Sequence, residues 1–396
     1  MRYFTSLWAA LFLIAGCVSR PEPAHPAAGW NLATLKKTPA AEWGARAGLT
    51  QEVYYRGEPF HGKPTRVFAY LGRPDKGHGP YPAVLLVHGG GGKAFQDWAE
   101  LWAKRGYVAL AMDTAGCGPN GRLADGGPDQ SDETKFRDFA DAEAGDMWTY
   151  HAVAVVMRGH ALLASLPEVD RSRIGIVGLS WGGYLTCIVA GLDDELKGAA
   201  PVYGCGFLGE DSYWKMRALA KMQPEARARW LRDFDPSQYL GGVKCPILFM
   251  VGTRDFAYPL DSYRASYRLV PDSLRHLCVI PDLPHHRYIR TFPEVDQFVD
   301  SVLRGAAPLP SVKSMTMRDG RADATVVSPA PIKEGSLLYT TDTGEWQQRR
   351  WNAVPAEIKG DTVSARLPAQ RPLAWYLLVT DGRGLRVSTA HEEWDH

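Results

Sequence analysis

From about residue 65 to 303, short continuous apolar runs alternate with amphipathic stretches. This is the pattern of βαβ units wound around a largely parallel sheet. Strands are expected at 66–71, 83–88, 107–113, 173–179, 198–203, 246–252 and 274–280, and helices near 94–105, 146–166, 181–192, 261–270 and 293–303. Runs such as Ala83-Val84-Leu85-Leu86-Val87 and Ile247-Leu248-Phe249-Met250-Val251 have no polar alternate, so both faces of these strands should be covered by helices. Two insertions break the rhythm: 114–145, rich in Gly and Asp, and 204–240, which carries Phe207, Tyr213, Trp214 and Trp230. Insertions of this length in compact α/β domains are usually lids, binding loops or disordered segments. Beyond Pro308 and Pro310 the texture changes to short β-type segments near 324–327, 336–340, 350–356, 362–366 and 374–379, punctuated by Gly, Pro and Asp-Gly. A second, all-β domain over 308–396 follows, most simply a small sandwich of the immunoglobulin or fibronectin kind. Its Trp346, Trp351, Trp375 and Tyr376 read as core, with a sugar-stacking face as the alternative.

Lys and Arg number 45 against 44 Asp and Glu, a net charge of +1, so the chain has no global attraction for a polyanion and nucleic acid is not an expected partner. Arg2 precedes an apolar run over 7–15 that is too short for a spanning helix of about 20 residues. The run closes on Ile14-Ala15-Gly16-Cys17, which resembles the lipobox of bacterial lipoprotein signals. That resemblance implies a signal over 1–16, a lipid on Cys17, and a Pro- and Ala-rich tether over 17–45. Val18 and Ser19 lack the inner-membrane retention aspartate, so the implied location is the bacterial envelope, anchored to the outer membrane. Of the five remaining cysteines, Cys117 and Cys205, each in a Gly-Cys-Gly turn, are the pair to test for a bridge. No C-x-x-C spacing occurs and His61, His78, His151 and His160 are not grouped with carboxylates, so neither a metal nor a cofactor is expected.

The sharpest motif is Gly178-Leu179-Ser180-Trp181-Gly182-Gly183, placed between the apolar run 174–177 and a predicted helix. Glycines on both sides of a serine let a strand turn sharply into a helix with the hydroxyl held proud of the sheet, as in a nucleophile elbow. A serine hydroxyl needs a base within reach and a third group to orient that base. Asp255 ends the run 246–252 with Gly252-Thr253-Arg254 between, 75 residues after Ser180; Pro284-His285-His286 follows the next strand, 30 residues on. Both therefore fall at carboxyl ends of parallel strands, where open α/β sheets build their sites. His285 is the preferred base, His286 its alternative, and Asp282 the alternative acid. His88-Gly89-Gly90-Gly91-Gly92 offers unobstructed backbone N–H groups after its strand, so Gly90, Gly91 and the N–H of Trp181 are the expected oxyanion donors. A phosphate loop is excluded because Ala94 follows Gly92-Lys93 where Ser or Thr is needed. Gly116-Cys117-Gly118-Pro119-Asn120-Gly121 matches a dinucleotide fingerprint, but Pro119 and the polar loop after it do not open a helix.

Taken together, the His88-Gly-Gly-Gly-Gly, Gly178-x-Ser180-x-Gly182, Gly252-Thr-Arg-Asp255 and Pro284-His285 series resembles the α/β-hydrolase superfamily over about residues 65–303. Within it the chain is similar to the branch of dienelactone hydrolases, acetyl xylan esterases and prolyl-oligopeptidase-like enzymes. A dienelactone hydrolase would carry cysteine where Ser180 stands. The resemblance implies an α/β-hydrolase catalytic domain over 46–305 and a serine carboxylic-ester hydrolase acting on a small-molecule or acylated carbohydrate substrate. Two rivals use the same residues: a serine peptidase of the prolyl-oligopeptidase type, and a non-catalytic, glycan-binding surface lipoprotein.

Overall fold

The computed structural model describes residues 29–285 and 292–394. The expectations placed on Cys17 and on His286 lie outside the described residues. The main sheet takes β1 (Ala41–Ala47), β2 (Thr50–Arg56), β3 (Arg66–Gly72), β4 (Tyr81–Val87) and β5 (Val108–Met112) from the first part of the chain. After a two-residue-per-strand hairpin, β6 (Cys117–Gly118) and β7 (Gly121–Arg122), it takes β8 (Val169–Leu179), β9 (Gly198–Val202), β10 (Ile247–Arg254) and β11 (Arg275–Pro284). The spatial order is β1-β2-β3-β5-β4-β8-β9-β10-β11. From β5 to β11 all neighbours are parallel, whereas β1, β2 and β3 join antiparallel.

Period-two alternation along the strands divides the apolar side chains between two layers. Leu85, Val87 and Ile176 point to one face, packed with Val153 of α4 (Trp148–Ser165) and Leu185 and Ile188 of α5 (Trp181–Leu192). Val84, Leu86 and Val177 point to the other, against Trp98 and Trp102 of α2 (Gln96–Lys104) and Phe298 and Leu303 of α9 (Pro293–Arg304). The remaining helices are α1 (Leu32–Leu35), α3 (Asp132–Lys135), α6 (Tyr213–Arg217), α7 (Pro224–Phe234) and α8 (Leu260–Tyr267). Of these, α3 lies in the insertion 114–145, and α6 and α7 lie in 204–240.

Two differences from the sequence expectation have a common cause. The expected tether reached residue 45, yet α1 and β1 fall within or across it; likewise β12 (Ser311–Arg318) was not anticipated. Both β1 and β12 are edge strands whose residues are mostly exposed, so they carry no apolar alternation to read.

The C-terminal region is a two-sheet sandwich. One sheet is ordered β12-β13-β17-β16, with β13 (Arg321–Val327), β16 (Glu357–Lys359) and β17 (Thr362–Arg366). The other is β15-β14-β18-β19, with β14 (Ile332–Thr340), β15 (Asn352–Pro355), β18 (Leu373–Asp381) and β19 (Arg386–Ser388), and β20 (Glu392–Trp394) pairs β18. In β18 the alternation has two destinations: Trp375, Leu377 and Val379 fill the sandwich, while Ala374 and Tyr376 join Trp346 in the core of the larger domain. Trp375 and Tyr376 are fully buried, so these aromatics form core rather than a sugar-stacking face. Cys117 and Cys205 are not bridged; all five described cysteines are free.

Polar fastenings cross the junction. The Val279 N–H donates to Ser388 Oγ (3.0 Å), and Arg386 Nε meets Glu294 Oε1 at 2.6 Å. Glu294 is only 1% exposed, so its carboxylate depends on that guanidinium for compensation. Arg386→Met is expected to destabilise the protein by about 3 kcal/mol in urea unfolding, because a buried charge loses its partner. The double variant Arg386→Met, Glu294→Leu should recover most of that loss. Equal stability of the single variant and the wild type would mean that the pair does not hold the two domains together.

Candidate active site

Ser180 is the single residue between β8 and α5, at φ 59°, ψ −119°. That conformation is sparsely populated for a residue with a Cβ and is stored strain of order 1–3 kcal/mol. Close backbone approach enforces it. A Cβ at Gly182 would lie 1.9 Å from the carbonyl oxygen of Val87, and one at Gly178 would lie 2.1 Å from that of Gly182. Only glycines allow α5 to start this near to β4 and β8. The Ser180 N–H is anchored to Val202 O on β9 (2.8 Å), and Ser180 O accepts from Tyr184 N–H (2.9 Å), which starts the helix.

Asp255 stands just past β10, 2% exposed. Its Oδ1 accepts the N–H groups of Ala257 (2.8 Å) and Tyr258 (2.9 Å). These two bonds fix the carboxylate so that Oδ2 faces His285 Nδ1 at 2.9 Å. The other nitrogen of that ring, Nε2, lies 2.8 Å from Ser180 Oγ. Since a carboxylate oxygen only accepts, Nδ1 carries the proton and Nε2 is left to accept from the serine hydroxyl. The imidazole follows β11 and is walled by the rings of Tyr203 (centroids 5.1 Å apart), Phe256 (5.3 Å) and Tyr258 (6.1 Å). The structure thus brings Ser180, His285 and Asp255 into one hydrogen-bonded line. It does not bring Asp282 there: that side chain is 62% exposed and pairs with Arg254 Nε at 2.8 Å.

The glycine loop after β4 passes directly beside the serine. A Cβ at Gly89 would lie 2.8 Å from Ser180 Cβ, and one at Gly90 would lie 2.8 Å from Cδ1 of Trp181. Trp181 is the first helical residue, so its N–H falls outside the i to i−4 ladder. His88 sets the loop from behind. Its Nε2 accepts the Thr114 N–H (3.0 Å), which leaves Nδ1–H to donate to Gly89 O (2.8 Å). Burial pushes the His88 pKa below the ordinary imidazole range, against the opposing pull of the Asp113 carboxylate, so the ring stays neutral and keeps this donor pattern.

A cavity of about 320 Å³ opens in front of Ser180. The glycine loop, Phe95 and His285 line it, joined by Tyr213 and Trp214 from one insertion and Asp132 from the other. Phe256, 42% exposed, stands at its edge. Of the other insertion aromatics, Trp230 is wholly buried and donates from Nε1 to Lys135 O (2.8 Å) instead of lining the cavity.

The residues that sequence reasoning missed are in the first insertion. Gln130 Nε2 donates to Gly92 O (3.2 Å), and the buried Lys135 ammonium lies 4.4 Å from the Trp181 ring centroid. Lys135 also donates to Gln130 O (2.8 Å) and pairs with Asp132 (3.1 Å); burial lowers its pKa. A lone lysine in a polar loop gives no sequence signal of this; only an i, i+3 Asp132–Lys135 spacing hints at a helical turn. Elsewhere, the one acidic group among the described residues close enough to chelate an ion, Asp193, Asp194 and Glu195, already surrounds Lys36 Nζ at 3.6, 2.5 and 3.3 Å.

Residues 45–239 match the family model for acetyl xylan esterase (AXE1). The match ends before Asp255 and His285, so the geometry alone brings those two to Ser180. Acetyl esterase Axe7A of Xylanibacter ruminicola is 23% identical over 215 residues, covering 49% of this chain and 46% of that protein. The uncharacterized peptidase YuxL of Bacillus subtilis is 25% identical over 214 residues, 49% of this chain and 29% of that one. The chain thus spans less than half the length of these curated relatives. Acetyl xylan esterase 1 from a Thermoanaerobacterium species superposes with TM-score 0.54 at 19% identity, over 68% of this chain and 90% of that one. The fold is that of the α/β hydrolases.

If the elbow is strained as described, relief should be measurable. Ser180→Gly removes the Cβ that makes the positive φ unfavourable, whereas Ser180→Ala keeps it and loses the same hydroxyl. The glycine variant is expected to be more stable than the alanine variant by about 1 kcal/mol in urea unfolding, after the entropic cost of glycine. An alanine variant as stable as the glycine variant would show that the backbone there is relaxed.

Proposed function

We propose that this α/β-hydrolase chain, which matches the acetyl xylan esterase model over 45–239, is a serine esterase that removes small acyl groups from hydroxyl-rich, carbohydrate-like alcohols. The observation that carries the reading is the unbroken line Ser180 Oγ, His285 Nε2, His285 Nδ1, Asp255 Oδ2, with links of 2.8 and 2.9 Å. Ser180 attacks the ester carbonyl while His285 takes its proton, and Asp255 holds the tautomer and stabilises the imidazolium. The carbonyl oxygen becomes an oxyanion between the Trp181 N–H and the Gly90 and Gly91 backbone, where each aimed donor is worth roughly a hundredfold to a thousandfold in rate. His285 returns the proton to the leaving alcohol, and water then repeats the sequence on the acyl-serine.

The alcohol half is read from the cavity walls. Tyr213, Trp214 and Phe256 line it together with the Lys135-paired carboxylate of Asp132, a mixture suited to a ring with apolar C–H faces and peripheral hydroxyls. Lys135 is a positioning residue in this scheme. Its ammonium under the Trp181 ring fixes the residue whose N–H faces the oxyanion.

The test is hydrolysis of p-nitrophenyl acetate, acetylated xylo-oligosaccharides and aminoacyl p-nitroanilides by the full chain and by Ser180→Ala. Ester cleavage should dominate and fall at least roughly a thousandfold in the variant, with fluorophosphonate labelling lost. Preferential anilide cleavage would mean a peptidase instead, and no cleavage with no labelling would remove the enzymatic reading. Lys135→Met, nearly isosteric, should lower kcat about tenfold, or about 1.4 kcal/mol, while KM moves less than about twofold. A fall confined to KM would place Lys135 on the substrate rather than behind the oxyanion donor.

A further inference from the structure

A second cavity among the described residues, about 390 Å³, is distinct from the one before Ser180. It lies in the seam between the two domains, between the turn and start of β11 (272–277), the first half of β12 and the end of β19. Since β11 runs parallel to β10 and its far end delivers His285, this cavity opens at the opposite end of the strands from the catalytic line. Only the stretch 278–284 of β11 lies between the cavity lining and His285, on the order of 23 Å along the strand. It is a separate site and not a second mouth of the first.

Its charges can be counted. Arg275 is committed: Nη2 meets Asp272 at 2.6 Å and Nη1 donates to Tyr267 O at 3.0 Å, so this pair is internally neutral. His276 packs edge-on to Phe298 (5.5 Å), and burial first, then the nearby Lys313 ammonium, lowers its pKa; it enters the count uncharged. Lys313 has no carboxylate at ion-pair distance among the described residues, which leaves the cavity one net positive charge.

The backbone is arranged for that lysine. β12 pairs with β13 as Val312↔Val326 and then Ser314↔Thr325, so Lys313 is the extra residue of a β-bulge. A bulge breaks the alternation of side chains and re-aims the bulged residue, a device used at sheet edges and binding sites. Ser311, Val312, Lys313, Ser314 and Met315 of this edge segment all line the cavity, the bulged Lys313 at their centre. The hydroxyls of Ser311 and Ser314 make no hydrogen bond among the described residues, and each can both donate and accept.

We infer that the seam cavity binds a singly charged, hydroxyl-rich small molecule, a carboxylate-bearing sugar of the uronate class, with Lys313 as its charge partner and the β12 serines on its hydroxyls. The volume falls within the range of small-molecule sites and suits one or two sugar rings. The site does not depend on the catalytic reading, because none of its residues lines the Ser180 cavity.

The experiment is calorimetric titration of the full chain with glucuronate, its uncharged counterpart methyl glucoside, and inorganic phosphate. Glucuronate should bind at least about tenfold tighter than either of the others, and its affinity should fall with added salt as Lys313 is screened. Lys313→Met should weaken glucuronate at least about tenfold, Lys313→Arg should retain it, and Phe256→Ala, in the other cavity, should not affect it. Hydrolysis of p-nitrophenyl acetate by Lys313→Met should stay within about twofold of wild type, which separates this site's failure from failure of the esterase reading. Phosphate binding as tightly as glucuronate would reduce the cavity to a simple anion site and overturn the proposal. Unchanged affinity in Lys313→Met, or no binding of glucuronate, would also overturn it.

Discussion

The backbone between β8 and α5 must reverse within one residue, and that residue is Ser180 at φ 59°. Helix α5 can begin there only because Gly178 and Gly182 let β4, β8 and the helix approach to backbone contact, with virtual Cβ distances of 2.1 and 1.9 Å. The same close approach exposes the first amide of α5, sets the glycine loop against the serine side chain, and turns the hydroxyl toward the ends of β10 and β11. Moving the serine one residue either way would put its side chain inside β8 or inside α5. The strain of order 1–3 kcal/mol is offset by the two buried layers on either face of the sheet, which hold β4, β8 and β9 whether or not the elbow is comfortable.

How far this was legible in the sequence follows from what each feature is made of. Continuous apolar runs identify strands covered on both faces, so β4, β8, β9 and β10 could be read within a few residues. The elbow could be read because glycine spacing records a steric requirement directly. Asp255 and His285 were readable as residues after successive strands, yet Asp282 fitted that criterion too; what separates them is that Asp255 Oδ1 is pinned by two backbone N–H groups while Asp282 turns outward to Arg254. Edge strands β1 and β12 left no trace because exposed positions obey no hydrophobic alternation. The joint role of Tyr376 and Trp375, adjacent residues serving different cores, is a tertiary fact that β-strand alternation permits but does not assign.

The insertion 114–145 changes its meaning once the contacts are considered. A roof over a pocket would be expected to touch substrate alone. Here Gln130 holds the carbonyl of Gly92, Lys135 lies against Trp181, Thr114 holds His88, and Trp148 Nε1 holds Thr114 O at 2.7 Å. Both arms of the expected oxyanion hole are therefore braced from the same segment. A polar, glycine-rich stretch with little apolar content can do this because hydrogen bonds and a cation over a ring are directional, whereas burial alone is not. The geometry of the donors and the position of the lid are thus one structural variable, and a change in the insertion should be felt as chemistry as well as access.

The C-terminal sandwich raises the converse question of why a domain so far from Ser180 is fastened so firmly. Tyr376, Ala374 and Trp346 are part of the larger domain's core, and Arg386 neutralises the buried Glu294 of α9. An independent module on a linker would need none of these, and inter-domain surfaces of that looser kind are more polar. β19 also lies beside β11, the strand that carries His285 at its end, with the Val279 N–H bonded to Ser388 Oγ. The sandwich therefore covers the outer edge of the sheet, as an edge strand requires if it is not to pair with other chains. In covering it, the sandwich fixes the register of the strand from which the base emerges. That the seam cavity forms between β11, β12 and β19 is a consequence of the same docking: two rigid surfaces joined along β11 leave a cleft where β12, kinked by its bulge, turns away.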